Sequence, residues 1–130
     1  MKTLHVAAVS ATLALAMGGA ALAHHSAAMF DQSKEVTLQG VVKEFQYTNP
    51  HSWLIVSVPN ATGKVTDWSF EAEGPSTLLR AGIKKTSLAP GEKVTVKGHP
   101  LRDGRPGGGL MSVTKADGTV LNPMKGFVAR

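Results

Sequence analysis

From residue 36 onward, apolar residues recur at every second position in short runs broken by Gly, Pro and Asn, a rhythm that commits the chain to strands and tight turns. A first strand, Val36 to Tyr47, places Val36, Leu38, Gly40 and Val42 on one face. Its apolar positions then change phase to Phe45 and Tyr47, which predicts a bulge or bend, and a glycine in mid-strand supports it. After the turn Thr48-Asn49-Pro50, a second strand runs from His51 to Val58, with Leu54, Val56 and Val58 on one side and His51, Trp53, Ile55 and Ser57 on the other. The loop Pro59 to Gly63 returns the chain as a hairpin into Lys64 to Ala72, where Trp68 and Phe70 join the face of Leu54 and Val56 as core.

Gly74-Pro75-Ser76 opens a short helix, with Ser76 as N-cap, Leu78 and Leu79 as its buried side and Gly82 as its stop. A fourth strand follows from Lys93 to Gly98, then a polar, glycine-rich loop from Leu101 to Gly109. A fifth strand spans Leu110 to Lys115, and Ala116 to Thr119 turns the chain back into Val120-Leu121. Three strands, one helix and two more strands, with a kinked first strand, is the order of an OB-fold. The fold class is therefore all-β with one short helix, an OB-fold-like, partly open five-stranded barrel. An immunoglobulin-like sandwich needs more strands.

Ahead of the barrel the chain has a different grammar. A lysine, an apolar run from Leu4 to Ala16 and the small-residue end Ala21-Leu22-Ala23 form a secretory signal peptide over 1–23, too short in its apolar part to remain as a membrane span. The remaining divisions are an N-terminal arm (24–35), the barrel domain (36–121) and a loosely held C-terminal tail (122–130). Cleavage after Ala23 leaves 107 residues, enough for one small domain, with 13 basic and 9 acidic residues. The mild positive charge comes without a Lys/Arg cluster interleaved with aromatics, which argues against a nucleic-acid partner. The expected product is a periplasmic or secreted monomer with no membrane span after cleavage. It contains no cysteine, so thiol nucleophiles and cysteine metal sites are excluded, and His, Asp, Glu, Met and backbone groups remain as donors.

Cleavage there makes His24 the first residue, offering an α-amine and an imidazole that can close one chelate ring, with His25 next to it. These nitrogen donors shed their protons near neutral pH and suit Cu(II), Ni(II) and Zn(II), with Cu(II) favoured by the divalent affinity order. His51 lies on the outer face of the second strand beside Trp53 and Ile55, where a solvated strand carries simple polar residues. A hairpin register in which paired residue numbers sum to about 122 sets His51 opposite Glu71, Trp53 opposite Ser69 and Ile55 opposite Asp67. The metal-site candidates are therefore His24, His25, His51 and Glu71, brought together if the segment Ala27 to Phe30 folds across Trp53 and Ile55. That segment also serves as an ordinary apolar cover for the two side chains. His99, at the end of the fourth strand, is expected near the start of the first strand and away from His51.

The outer face of strands two and three and the adjoining loops form the usual OB ligand surface, which here holds Trp53, Ile55, Arg102 and Arg105. Two arginines among glycines can fork an anion, though the loop has no phosphate-binding pattern, and a solvated connection explains it as well. Glu71 and Glu73 share a strand face, but no acid, base or nucleophile is tied to a substrate cleft. The expectation is a binding protein and not an enzyme. Its ligand is Cu(II) or Zn(II), or alternatively a non-metal ligand or protein of the cell envelope.

At Ala23-His24-His25-Ser26, Gly40-Val41-Val42, Thr48-Asn49-Pro50-His51-Ser52-Trp53, Asp67-Trp68-Ser69-Phe70-Glu71 and the turn from Gly98 to Gly104, the chain resembles a family of short exported Gram-negative bacterial proteins of unknown function. The resemblance spans nearly all of the mature domain. It implies export and a small β-barrel, and it assigns no functional residue.

Overall fold

A computed structural model describes residues 27–125. Six strands follow in the order β1 (Val36–Gln46), β2 (Ser52–Pro59), β3 (Val65–Ala72), β4 (Lys93–Pro100), β5 (Gly107–Lys115) and β6 (Val120–Leu121), with one short helix, α1 (Pro75–Arg80), between β3 and β4. Neighbours in the sheet run β3-β2-β1-β4-β5-β6, and a further β3–β5 pairing closes the first five strands into a barrel. All pairings are antiparallel except this seam, where Ser69, Phe70 and Glu71 lie alongside Gly107, Gly108 and Gly109 in parallel. The glycine triplet expected in a loop is thus strand. A side chain at Gly107 would place its Cβ 2.7 Å from the Ser69 carbonyl oxygen, so the backbones approach this closely only without one.

The inward face follows the period-two pattern. Val42, Leu54, Val56, Phe70, Val94, Val96 and Val113 are all buried, and Leu88 joins them. Leu54 pairs with Phe70 and Val56 with Trp68 across the β2–β3 ladder, which places both aromatics on the core side as the alternation predicts. The phase change in β1 is a bulge between Val42 and Glu44 that leaves Lys43 as the extra residue. Beyond it Phe45 and Tyr47 pack against a second cluster of Ala72, Leu78 and Ile83 that stoppers one end of the barrel. The Tyr47 hydroxyl shares its proton between the carbonyls of Ile83 (2.9 Å) and Pro75 (3.0 Å), tying the end of β1 to the first residue of α1 and to the segment that follows the helix.

Three local expectations are corrected. The N-cap of α1 is Gly74, with Pro75 in the first turn and no side-chain cap, so Ser76 does not have that role. Leu78 is buried but Leu79 is exposed, because adjacent residues on so short a helix point about 100° apart and only one meets the barrel. The tail is held at its start: Pro123 is fully buried. The positive φ of Gly82, at 81°, ends the helix as expected.

Candidate functional site

The β2–β3 register is two residues away from the simple estimate: Trp53 faces Glu71, Ile55 faces Ser69 and Ser57 faces Asp67. The turn explains the slip. Asn60 Oδ1 accepts the backbone N–H groups of Thr62 (2.9 Å) and Lys64 (3.0 Å), and the Asn60 N–H donates to the Lys64 carbonyl. This Asx-type loop centres the hairpin on Thr62 instead of Ala61. His51, one position before β2, nevertheless reaches Glu71 along the diagonal, with Nδ1 3.2 Å from Oε1. The Glu71 side chain is only 12% exposed, so its charge is largely withdrawn from water. An ionised carboxylate only accepts, so the neutral ring that faces it carries its proton on Nδ1 and its lone pair on Nε2.

Barrel closure produces a row that strand order along the chain conceals. Trp53 faces Glu71, Glu71 lies beside Gly109, and Gly109 faces His99, one residue from each of β2, β3, β5 and β4. His99 does lie near the start of β1, as expected, with Nδ1 2.7 Å from the Lys34 carbonyl oxygen. It nevertheless shares a cleft with His51: the two imidazoles line one cleft of about 680 Å³ together with Glu71 and Glu73. A carbonyl accepts only, so His99 also carries its proton on Nδ1 and its lone pair on Nε2. The same cleft is lined by Met111 and Met124. Met111 is the unpaired residue of a bulge in β5, since Lys97 pairs with Ser112 and Gly98 with Leu110.

The arm crosses this row at the gap left by Gly109. Phe30 is buried, and a Cβ on Gly109 would lie 3.1 Å from its ring. The arm is latched to the β4–β5 connection. The Asp31 N–H donates to the Pro100 carbonyl at 2.8 Å, the Arg102 N–H to the Met29 carbonyl at 2.9 Å, and Arg102 Nε to the Ala28 carbonyl at 3.1 Å. Ser33, chiefly through its hydroxyl, holds the Asp31 carboxyl below its usual range at the start of this turn. Met29 and Phe30 then line a recess of about 350 Å³ with Trp53, Ser69, Leu101 and Arg105.

Of the expected ligand surface, Trp53 and Arg105 therefore share one recess, whereas Ile55 and Arg102 do not line it. The two arginines are not an open fork. Arg102 is engaged with the arm, and Arg105 Nε lies 2.7 Å from Asp103, whose carboxyl is held below its usual range by the Arg105 backbone N–H and guanidinium. His24 and His25 lie outside the described residues. Among the described residues no three His, Asp or Glu side chains gather closely enough to hold a metal ion. His99 and Met111 escaped the reading of the strands in chain order. The signal for His99 was in the fold itself, because the parallel β3–β5 contact of an OB-like barrel carries the end of β4 toward the outer face of β3.

Fold and site together define a small closed OB-like barrel with a histidine- and methionine-lined cleft beneath an N-terminal arm. Residues 12–111 match DUF6152, a family of unknown function, and the chain belongs to that family. Neither a curated protein nor a solved structure matches it. No helix among the described residues is long and apolar enough to cross a membrane.

Proposed function

We propose that the protein is exported and binds Cu(II) or Zn(II) through His24, His25 and His51, with Glu71 orienting or completing the donor set. The observation that carries this reading is the His51–Glu71 pair, 3.2 Å apart on a cleft that Ala27 also lines. An imidazole whose Nδ1–H is held by a carboxylate presents Nε2 in the manner of a metal-ligating histidine. Ala27 follows His25 by two residues and His24 by three, spans of at most about 7 Å and about 11 Å, so the covalent tether limits how far either histidine can lie from the cleft. Donors from outside the described residues are what a site built on His51 requires. Removal of residues 1–23 in the periplasmic or extracellular space supplies the free amine. The role we read in it is binding and not catalysis.

Isothermal titration of protein beginning at His24 tests it against His51→Ala and against protein with one additional residue before His24. Both changes are expected to weaken Cu(II) binding at least tenfold, and equal affinity for all three overturns the reading. A second reading rests on the recess of Trp53, Met29 and Phe30, an apolar pocket with Arg105 at its edge that suits a small envelope ligand or protein segment. Trp53 fluorescence that ignores Cu(II) but changes with a cell-envelope extract favours this second reading.

A further inference from the structure

The metal reading uses His51 and leaves the other side of the cleft unexplained. His99 has its Nδ1 fixed by the Lys34 carbonyl, a hydrogen bond of the kind that orients a ligating imidazole and frees Nε2. Met111 is the residue that the β5 bulge takes out of the ladder, and bulges re-aim side chains beside functional sites. Met124 is 44% exposed although Pro123 before it is fully buried, and an Asx turn, Met124 N–H to Asn122 Oδ1 at 3.0 Å, fixes the backbone between them. Methionines that merely fill gaps in a core are buried. These two are respectively half-buried and exposed, and both border the same cleft as His99.

We propose that this side of the cleft is a Cu(I) site formed by the thioethers of Met111 and Met124 with His99 Nε2. Thioethers are soft donors that select Cu(I) over Zn(II), Mg(II) or Ca(II). They carry no proton at any relevant pH, so protons compete for only one of the three donors. The carboxylates of Glu71 and Glu73 on the same cleft complement the single positive charge of the ion. The inference rests on the reading of the cleft as a metal site but on different donors, so each can fail without the other.

Anaerobic competition of the chain beginning at His24 with the Cu(I) chelator bicinchoninate is the test, paired with Cu(II) titration of the same samples. Met111→Leu/Met124→Leu, which keeps side-chain volume nearly constant, is expected to weaken Cu(I) binding at least tenfold and leave Cu(II) binding unchanged. Met124→Leu alone, at an exposed position, is expected to weaken Cu(I) binding severalfold with no change in thermal midpoint. X-ray absorption of the Cu(I)-loaded protein is expected to show sulfur in the first coordination shell. Parent-like Cu(I) affinity in both variants, or a shell without sulfur, overturns the proposal. Loss of Cu(II) binding in the parent with the Cu(I) pattern intact overturns only the His24–His51 reading.

Discussion

His51 Nδ1 and Glu71 Oε1 are 3.2 Å apart although the two residues are not cross-strand partners; Glu71 faces Trp53, and His51 reaches it along the diagonal. The contact fixes the tautomer of His51 from behind. Glu71→Gln removes the charge, keeps the shape and lets the ring change tautomer. It is expected to reduce Cu(II) affinity about 10- to 100-fold, the usual effect of removing an outer-shell partner. Titration calorimetry reads the loss, and circular dichroism is expected to show an unchanged fold.

The seat of Phe30 on Gly109 makes the arm part of the packed structure. Phe30→Ala is expected to cost up to about 3–5 kcal/mol where the site cannot collapse. It is also expected to speed hydrogen exchange at the Asp31 and Arg102 amides, whose partners are the carbonyls of Pro100 and Met29. Exchange that stays slow at both amides contradicts this role for the ring.

Gly40 sits where β1 passes close over β2. A Cβ there would lie 2.5 Å from the Ser57 carbonyl oxygen and 2.7 Å from Val56 Cγ1. Gly40→Ala is therefore expected to destabilise the barrel by about 1–3 kcal/mol through overpacking, even though alanine is ordinarily neutral or favourable relative to glycine. Chemical denaturation measures the change.

Acid is expected to weaken the fold in part through Glu92. Its carboxylate accepts the Ala89 N–H at 2.5 Å and meets Lys115 Nζ at 3.1 Å, and these hold its pKa below the ordinary 4.5. A lowered folded-state pKa means stability that is complete above the ordinary value and lost as pH falls through the folded one. Denaturation curves of the parent and Glu92→Gln are expected to differ at pH 7 and to draw together as pH falls below 4.5. A constant gap down to pH 3 contradicts the assignment.

The barrel was legible because burial of one face imposes a period of two, and Leu54, Val56, Phe70, Val94 and Val96 obey it without interruption. The bulge at Lys43 was visible as a change of phase in β1. The register of β2 against β3 was not, because it depends on how Asn60 bonds within the loop and not on the alternation, which a shift of two leaves intact. Gly107 to Gly109 read as a loop because glycine carries no hydrophobic signal. Their strand state comes from backbone closure against β3. That closure also carried His99 into the company of His51, so half of the cleft was hidden by the one contact that alternation cannot express.

Strand β5 reaches its closing seam with no side chains of its own, and the phenyl ring of residue 30 occupies the space beside the third glycine. The apolar mass that completes this wall is thus contributed from upstream of the first strand. A fragment cut at residue 36, the natural choice if the arm is taken for a leader remnant, would discard a wall component together with the peptide, and its instability would be mistaken for weakness of the barrel itself.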